Sequence, residues 1–326
     1  MRVAIIGAGM AGLTAAQNLK RFGVDVFLFD KGRGPGGRMS TRRAELDGSM
    51  VRFDHGAQYI SPKSEAFEAE VKRWIKAGVA AEWSGRLVTI RSDGSVEERE
   101  SKLAYVGTPG MNDIIRFLAR DQTVEWGKRV SKVSHEAKWC LHFEDGNALG
   151  NFDHVVIAVP AEQVADILDG LAPEISKAAQ ITESDPCWTV MASFPDRLNV
   201  DWDGAVIEDG PISWAARNSS KPGRGEIETW VLQASAKWSA EHLEDEKESV
   251  SKKILDAFKV FCGVGKLDLC MAHRWRYSQI KPRQTPSFYF DRDLSISACG
   301  DWCSGPKIED AWSSGKELAK VILSSK

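Results

Sequence analysis

Residues 3–12 read VAIIGAGMAG, a short apolar run followed by the spacing Gly-x-Gly-x-x-Gly. The run has the composition of a buried strand, and helical periodicity follows it over residues 10–22. In a strand–turn–helix unit, glycines at this spacing allow a tight turn and let a pyrophosphate approach the amino end of the helix. The spacing therefore predicts a dinucleotide-binding turn. Its predicted site residues are Gly7, Gly9, Met10, Ala11 and Gly12.

A second β-rich run, VDVFLFD at residues 24–30, follows the helix and ends at Asp30. A carboxylate at this place can accept the ribose hydroxyls of an adenine dinucleotide. Two strands joined by a crossover helix pair in parallel. The predicted fold class is therefore α/β with a Rossmann-type sheet.

The composition describes an ordinary globular chain of 326 residues, long enough for two domains. Its 43 basic and 46 acidic residues are spread along the chain, so nucleic acid is not an expected partner. No apolar run approaches the ~18 residues of a membrane span, and the amino-terminal residues show no signal-peptide pattern. We therefore expect a cytoplasmic protein with reduced cysteines and no membrane partner.

A second glycine-rich stretch, KGRGPGGRMS at residues 31–40, follows Asp30. Its Gly36-Gly37-Arg38 doublet resembles the second fingerprint of the flavin-containing amine oxidase superfamily, where glycines let the chain pass close to the cofactor and the arginine meets its phosphates. A flexible basic loop is the alternative. The resemblance implies a non-covalently bound FAD. It assigns three residues of this stretch to the cofactor site, Lys31, Gly37 and Arg38. It also places a backbone contact to adenine at Val130 or Val133.

Near the carboxyl end the chain reads ACGDWCSG, residues 298–305. In the same superfamily a strand, a Gly-Asp pair and a helix close the fold, which assigns Gly300 and Asp301 to the flavin's ribityl chain. On this interpretation Cys299 and Cys303 are bystanders. A redox pair is an alternative, because a helix amino terminus lowers a thiol pKa. A metal site would need further ligands nearby, and only isolated ones occur in the sequence.

The helix and strand pattern predicts a discontinuous first domain. A glutathione-reductase-like, FAD-binding Rossmann domain is expected from residues 1–60, 100–160 and 291–326. Residues 161–290 are expected to form a substrate domain with a mixed sheet, and residues 61–100 are assigned to neither. The strand HVVIAVP at 154–160 precedes the point where the chain passes into the substrate domain, and LSISACGD at 294–301 is the strand that returns to the first domain.

Six further segments resemble the bacterial renalases over nearly the whole chain. They are FDHGAQYI (53–60), GTPGMNDI (107–114), WAARNSSKPGR (214–224), ETWVLQASAKWS (228–239), AHRWRYS (272–278) and CGDWC (299–303). The resemblance implies an FAD enzyme that oxidises misreduced nicotinamide dinucleotides, the 2- and 6-dihydro isomers of NAD(P). The hydride goes to flavin N5 and the electrons go to O2, which gives H2O2.

The renalase resemblance also assigns a substrate pocket. The lone pair of the ring nitrogen drives hydride departure, so the pocket has to orient rings rather than supply a strong base. For the tryptophans, Trp230 above all, core packing is the alternative, and His273 is expected to line the pocket rather than to shuttle protons. His55 stands where an apolar residue is expected. The assigned residues are the catalytic Tyr59, Asn218, His273 and Trp275 and the pocket residues Gln58, Trp214, Arg217, Trp230 and Tyr277.

Two other functions fit parts of the sequence. An amine or polyamine oxidase would share the superfamily fingerprints and would hold an amine in an aromatic cage. A non-catalytic, redox-sensing FAD protein would use Cys299 and Cys303. Flavin reduction by amines, by NADH or by the dihydro isomers distinguishes the three.

Overall fold

The computed structural model of the protein describes residues 1–99, 103–263, 266–281 and 285–325. The predicted domain limits at residues 100 and 326 lie outside these ranges. Short 3-10 turns occupy Gly37–Met39, Ala161–Gln163 and Asn218–Ser220. The α-helices are α1 (Met10–Arg21), α2 (Glu65–Lys76), α3 (Asn112–Ala119), α4 (Val164–Leu168), α5 (Pro173–Gln180), α6 (Ala236–Glu241), α7 (Lys247–Cys262), α8 (Asp301–Ser304) and α9 (Ile308–Ser324). The strands are β1 (Arg2–Ile6), β2 (Asp25–Asp30), β3 (Thr41–Leu46), β4 (Ser49–Asp54), β5 (Ala80–Glu82), β6 (Leu87–Ile90), β7 (Val96–Glu98), β8 (Tyr105–Gly107), β9 (Thr123–Trp126), β10 (Val130–His135), β11 (Trp139–Phe143), β12 (Ala148–Phe152), β13 (His154–Ile157), β14 (Ser184–Phe194), β15 (Gly204–Ile207), β16 (Ile212–Arg217), β17 (Glu228–Ala234), β18 (Leu269–Ile280), β19 (Phe288–Asp291) and β20 (Ile296–Cys299).

The chain divides into two compact units. Unit 1 comprises Met1–Gly37, Ile115–Ser184 and Ile280–Lys326, and unit 2 comprises Arg38–Ile114 and Asp185–Gln279. The fold class is confirmed, since a Rossmann-like parallel sheet forms in unit 1 and a mixed sheet forms in unit 2.

Unit 1 is built on a six-stranded sheet in the order β19-β20-β13-β1-β2-β9. All neighbours pair in parallel except β19 with β20. The side chains of Val3, Ala4 and Ile5 on β1 are fully buried, as expected for a parallel strand covered on both faces. Helix α9 packs closely on α1. Gly315 of α9 has no room for a side chain there, since a Cβ would lie 2.2 Å from the carbonyl oxygen of Ala11.

Unit 2 is built on a seven-stranded sheet in the order β18-β14-β17-β16-β15-β6-β7. One face carries the larger core, in which α7 packs Ile254 and Phe258 against Trp230. Side chains alternate along a strand, so Val231 points to the opposite face. There it packs with Phe53 of β4 in a smaller cluster.

The observed units differ from the predicted domain limits in four segments. Residues 38–60 and 103–114 belong to unit 2 instead of the FAD-binding domain, and residues 161–184 and the described part of 280–290 belong to unit 1 instead of the substrate domain. Helices α4 and α5, predicted to open the substrate domain, bury Val164 and Ile175 in the core of unit 1. The described part of 61–100, assigned to neither domain from the sequence, also belongs to unit 2. The reason is strand pairing, since β6 joins the unit 2 sheet in parallel with β15 and the β3–β4 hairpin supplies Phe53 to its smaller cluster.

Among the described residues, no helix combines the length and the apolar character that crossing a membrane requires.

Candidate cofactor and substrate sites

The glycines of the β1–α1 turn have different physical roles. A Cβ at Gly7, where φ is +104°, would lie 2.4 Å from the carbonyl oxygen of Ala158, and a Cβ at Gly12 would lie 2.0 Å from that of Gly7. Neighbouring backbone atoms therefore leave no room for a side chain at Gly7 or Gly12. A Cβ at Gly9 would meet no described atom within 4 Å, so open space lies beside the first turn of α1.

The first turn of α1 suits an anion. Gly9 is its N-cap, no side chain among the described residues caps it, and no acidic residue lies in its first turn. The N–H groups and the positive end of the helix dipole therefore face the open space beside Gly9. Met10 and Ala11, the other predicted residues of this turn, are buried.

Asp30 is held in place at the end of β2. Its Oδ2 accepts the N–H of Ala8 at 2.7 Å and its Oδ1 accepts the N–H of Gly32 at 2.6 Å. An ionised carboxylate has about four acceptor positions, so two remain for ribose hydroxyls. The neighbouring Lys31 is exposed and donates to Gln163 Oε1 at 2.8 Å.

The second glycine-rich stretch lies beside the first. A Cβ at Gly37, where φ is +54°, would come closest to Cα of Gly9, at 3.9 Å. Gly37 therefore occupies the left-handed region that glycine tolerates best, next to the open space at Gly9. Arg38 is half-buried, and its carbonyl oxygen accepts the N–H of Ala57 at 2.9 Å within unit 2.

The remaining predicted cofactor residues lie in unit 1. Val130 is buried and pairs with Phe143 across β10 and β11. The N–H of Gly300 donates to Ser314 Oγ at 2.9 Å, and the largely buried Asp301 begins α8. Glycine-lined open space, an uncapped helix and a fixed carboxylate fit an adenine dinucleotide such as FAD.

The two cysteines around Gly300 and Asp301 are in surroundings that make their thiols unreactive. Both side chains are fully buried, and neither sulfur forms a disulfide. Burial raises the pKa of Cys299 to about 12. Burial also raises the pKa of Cys303 well above its ordinary value, and the neighbouring Cys299 and Asp301 add to the effect. Little reactive thiolate forms at neutral pH, which argues against a redox pair.

The described residues contain no cluster of three or more His, Cys, Asp or Glu side chains suited to a metal.

A buried ionic cluster anchors the segment 54–59 of unit 2. The carboxylate of Asp54 is completely buried and meets Arg224 Nη2 at 2.5 Å and Lys221 Nζ at 3.4 Å. Burial alone would raise the pKa of Asp54, but the two cations outweigh it and hold that pKa below its usual value. Burial lowers the pKa of Lys221 to about 8, against the opposing attraction of Asp54.

Asn218 and Gln58 hold the same segment through backbone contacts. Asn218 Oδ1 accepts the N–H of Asp54 at 3.2 Å, and its Nδ2 donates to the Arg52 carbonyl at 2.7 Å. Gln58 Nε2 donates to the carbonyls of Asp54 at 2.6 Å and Gly56 at 2.9 Å. Both amides thus shape the segment that carries His55 and Tyr59.

Two aromatic groups extend from this segment. The ring of Tyr59 lies 5.6 Å from that of Trp214. His55 stacks on Trp275 at 5.3 Å and meets the edge of His273 at 4.8 Å, while Trp275 Nε1 donates to the His55 carbonyl at 2.8 Å. Strand β18 thus brings two of the predicted pocket residues to His55, and Tyr277, 37% exposed, lies farther along it.

Both histidines of this group are neutral at physiological pH. Burial, then the neighbouring His273 and Arg42, lower the pKa of His55 to about 3. Burial, then Arg42 and Lys247, lower the pKa of His273 to about 4. The arrangement suits packing and hydrogen bonding rather than proton transfer.

Arg217 and Trp230 lie elsewhere, on the core face of the unit 2 sheet. Trp214 and Arg217 are three residues apart on β16, so their side chains point to opposite faces. Arg217 is 1% exposed and pairs with Glu228 at 3.0 Å, and Trp230, opposite it in register, donates to the same Glu228 at 2.8 Å. Both residues were predicted to line the substrate pocket, whereas in the structure their side chains lie in the core of unit 2.

Comparison with protein families decides the class of this protein. The family model described as Flavin containing amine oxidoreductase matches residues 88–323, more than half of the chain. The chain belongs to this family. A model described as NAD(P)-binding Rossmann-like domain matches residues 5–74. FAD is therefore the cofactor of this family member, as predicted from its fingerprints.

The chain is similar to a curated desaturase over a short stretch and to two solved structures over nearly its whole length. It is 50% identical to hydroxyneurosporene desaturase of Rubrivivax gelatinosus over 50 residues, which span 15% of this chain and only 9% of the desaturase. Putrescine oxidase bound to putrescine superposes with a TM-score of 0.75 at 15% identity, covering 99% of both chains. Reduced UDP-galactopyranose mutase superposes with a TM-score of 0.77 at 12% identity, covering 100% of this chain and 96% of the other. At these identities the superpositions show a shared fold alone.

Three residues of the site were not predicted from the sequence. Asp54, Lys221 and Arg224 form the buried cluster under segment 54–59, yet the sequence separates Asp54 from Arg224 by 170 positions. All three stand inside quoted segments, FDHGAQYI and WAARNSSKPGR. The available signal was a single aspartate in the first segment and three cations without an acidic residue in the second.

Proposed function

We propose that this protein is an FAD-dependent oxidase of dihydronicotinamide dinucleotides that carry the hydride at ring position 2 or 6. The products are NAD(P)+ and H2O2. The observation that carries the proposal is the pair of aromatic groups on segment 54–59, one with Tyr59 and Trp214 and one with His55, His273 and Trp275. Flat rings of this kind stack on a planar substrate ring.

The reaction needs orientation more than acid–base chemistry. In a 2- or 6-dihydronicotinamide the ring nitrogen supplies the electron pair that expels the hydride, so no side chain has to remove a proton. Bound FAD would supply the acceptor for this hydride, and its reoxidation by O2 with one further proton from solvent would give H2O2. His55 and His273, held neutral by burial, can stack or donate hydrogen bonds without adding charge.

Contacts that fix the backbone of segment 54–59 support the proposed orientation of the substrate ring. Asn218 and Gln58 fix the backbone of segment 54–59, and the Asp54–Arg224 pair anchors it. We propose that Asn218 acts as a positioning residue for Tyr59 and His55. Tyr59, Trp214, His273 and Trp275 are proposed to contact the substrate.

Electrostatics favours this substrate class over an amine. Polyamines and most alkylamines are cations at neutral pH, whereas a dinucleotide carries at least two negative phosphate charges. Arg42 and Lys247 lie close enough to His273 to help depress its pKa, so both disfavour a further positive charge beside that ring. The carboxylate of Asp54 is already paired with two cations and offers an amine no free partner.

One anaerobic experiment tests the proposal against its alternatives. The purified holoenzyme is mixed with putrescine, with NADH and with the 2- and 6-dihydro isomers, and loss of the oxidised flavin absorbance is followed. We expect fast bleaching by at least one isomer and slow bleaching by NADH and the amine. Fast reduction by putrescine alone would assign an amine oxidase, and reduction by none of them would favour a redox sensor.

A further inference from the structure

A cavity of about 720 Å³ lies along α7 and β18 in unit 2. This volume is in the range of sites that enclose small organic ligands, roughly 300–1,000 Å³. Its walls include Leu255 and Phe258 of α7 and Met271 of β18. The cavity therefore offers a mainly apolar surface to a flat or aliphatic group.

Positive charge is concentrated on the lining of this cavity. Arg42, Lys247, Lys252 and Lys259 line it, against the two carboxylates Glu248 and Asp256. Asp256 is already paired with Lys259 at 2.7 Å. Arg42 and Lys247 are exposed, and neither makes an ion pair with a carboxylate in the part of the chain that the structure describes. Two unpaired cations are thus available to an anion.

The same two cations connect the cavity to the histidine group. Met271, in the cavity wall, precedes His273 by two residues on β18, so both side chains lie on one face of the strand. Arg42 and Lys247 both act electrostatically on His273. His55, which packs on His273, is 5% exposed, and its Nδ1 has no hydrogen-bond partner among the described residues.

We propose that this cavity binds the ADP-ribose part of the dinucleotide, with the two phosphates on Arg42 and Lys247 and the adenosine against Leu255 and Met271. This inference rests on the proposed function and names the part of the substrate that the aromatic groups leave unassigned. Phosphate oxygens form short, charge-assisted hydrogen bonds with guanidinium and ammonium groups. The site then selects dinucleotides over smaller nicotinamides by binding, without touching the reacting ring.

Direct binding of ADP-ribose tests the site without any catalytic turnover. The holoenzyme is kept saturated with FAD, because an empty FAD site could itself take up ADP-ribose, and titrated by calorimetry. We expect Arg42→Gln and Lys247→Gln each to weaken binding about tenfold or more, the effect of one lost charge-assisted contact. Ser251→Phe, which adds a ring inside the cavity lining, should weaken it as strongly.

Arg43→Gln is the matched control. Arg43 follows Arg42 on β3, is exposed, and points to the other face of the hairpin, so the affinity should stay unchanged. Equal ADP-ribose affinity in wild type, Arg42→Gln and Lys247→Gln overturns the inference, as does an absence of binding to the wild type. Neither result touches the proposed function, which flavin reduction by the isomers decides by itself.

Kinetics gives a second, independent measure. For a dihydro isomer that reduces the flavin, Arg42→Gln should raise KM for the dinucleotide about tenfold and leave kcat nearly unchanged. The corresponding riboside, which lacks both phosphates, should show the same KM with wild type and variant. A parallel rise in KM for the riboside would overturn the assignment of the phosphates to Arg42.

Discussion

Arg224 Nη2 donates to Asp54 Oδ2 at 2.5 Å, and both side chains are almost fully buried. Lys221 adds a second cation 3.4 Å from the same oxygen, so the cluster carries more positive than negative charge. The segment that holds His55 and Tyr59 begins at this aspartate. The placement of the proposed substrate pocket therefore depends on a charge pair that water does not reach.

Asp54→Asn should destabilise the protein strongly. The substitution leaves Arg224 and Lys221 buried without a counter-charge, and breaking a buried pair in this way costs about 3–5 kcal/mol. Chemical denaturation followed by tryptophan fluorescence measures the loss. Glu97→Gln, which removes an exposed partner of Arg91, is the control and should leave the free energy of unfolding nearly unchanged.

Lys221 should make stability depend on pH in the alkaline range. Its pKa is about 8 in the folded protein and 10.5 as an ordinary lysine, so the unfolded chain binds more protons between these values. Stability relative to Lys221→Met should therefore rise as the pH increases from about 8 to about 10.5. Denaturation midpoints of both proteins across this range provide the measurement, and parallel curves would contradict the assigned pKa.

Gly9→Ala and Gly12→Ala should separate cofactor binding from folding. Gly9 has open space beside it, so an added methyl group should leave the fold intact but enter the volume where the pyrophosphate binds. At Gly12 the same methyl group would lie 2.0 Å from the carbonyl oxygen of Gly7 and should destabilise the β1–α1 turn. We expect Gly9→Ala to unfold normally as apoprotein with reduced FAD affinity, and Gly12→Ala to unfold more easily. Equal FAD affinity in Gly9→Ala and wild type would contradict the assigned site.

Replacing both Cys299 and Cys303 by Ala should leave flavin reduction by the substrate nearly unchanged. Both thiols are fully buried with raised pKa values, and hydride transfer does not involve them. A fall of about 100-fold, or ~2.7 kcal/mol in barrier, would restore the redox-pair interpretation. As a check without mutation, both thiols of the folded protein should resist alkylation that labels them after denaturation.

Much of unit 1 could be predicted because its signals are local. The strand, the glycine spacing and Asp30 lie within one strand–helix–strand unit, and the structure forms it at nearly the expected positions. The substrate side depends on long-range pairing. Nothing near Leu87 indicates that β6 pairs with β15, and nothing local links Asp54 to Arg224. Strand periodicity could have placed Arg217 opposite to Trp214, since residues three apart point to different faces.

The proposed pocket should discriminate between isomers of the same dinucleotide. If Tyr59, Trp214, His273 and Trp275 hold the ring with carbon 2 or 6 at the reacting position, carbon 4 of NADH lies outside a near-attack distance of about 3–3.5 Å. NADH should therefore bind as a competitive inhibitor and reduce the flavin orders of magnitude more slowly than the preferred isomer. Trp275→Ala removes the ring that stacks on His55 and should slow isomer oxidation while FAD content stays the same. Anaerobic stopped-flow with each isomer measures this ratio, and similar reduction rates for NADH and both isomers would rule out the proposed pocket.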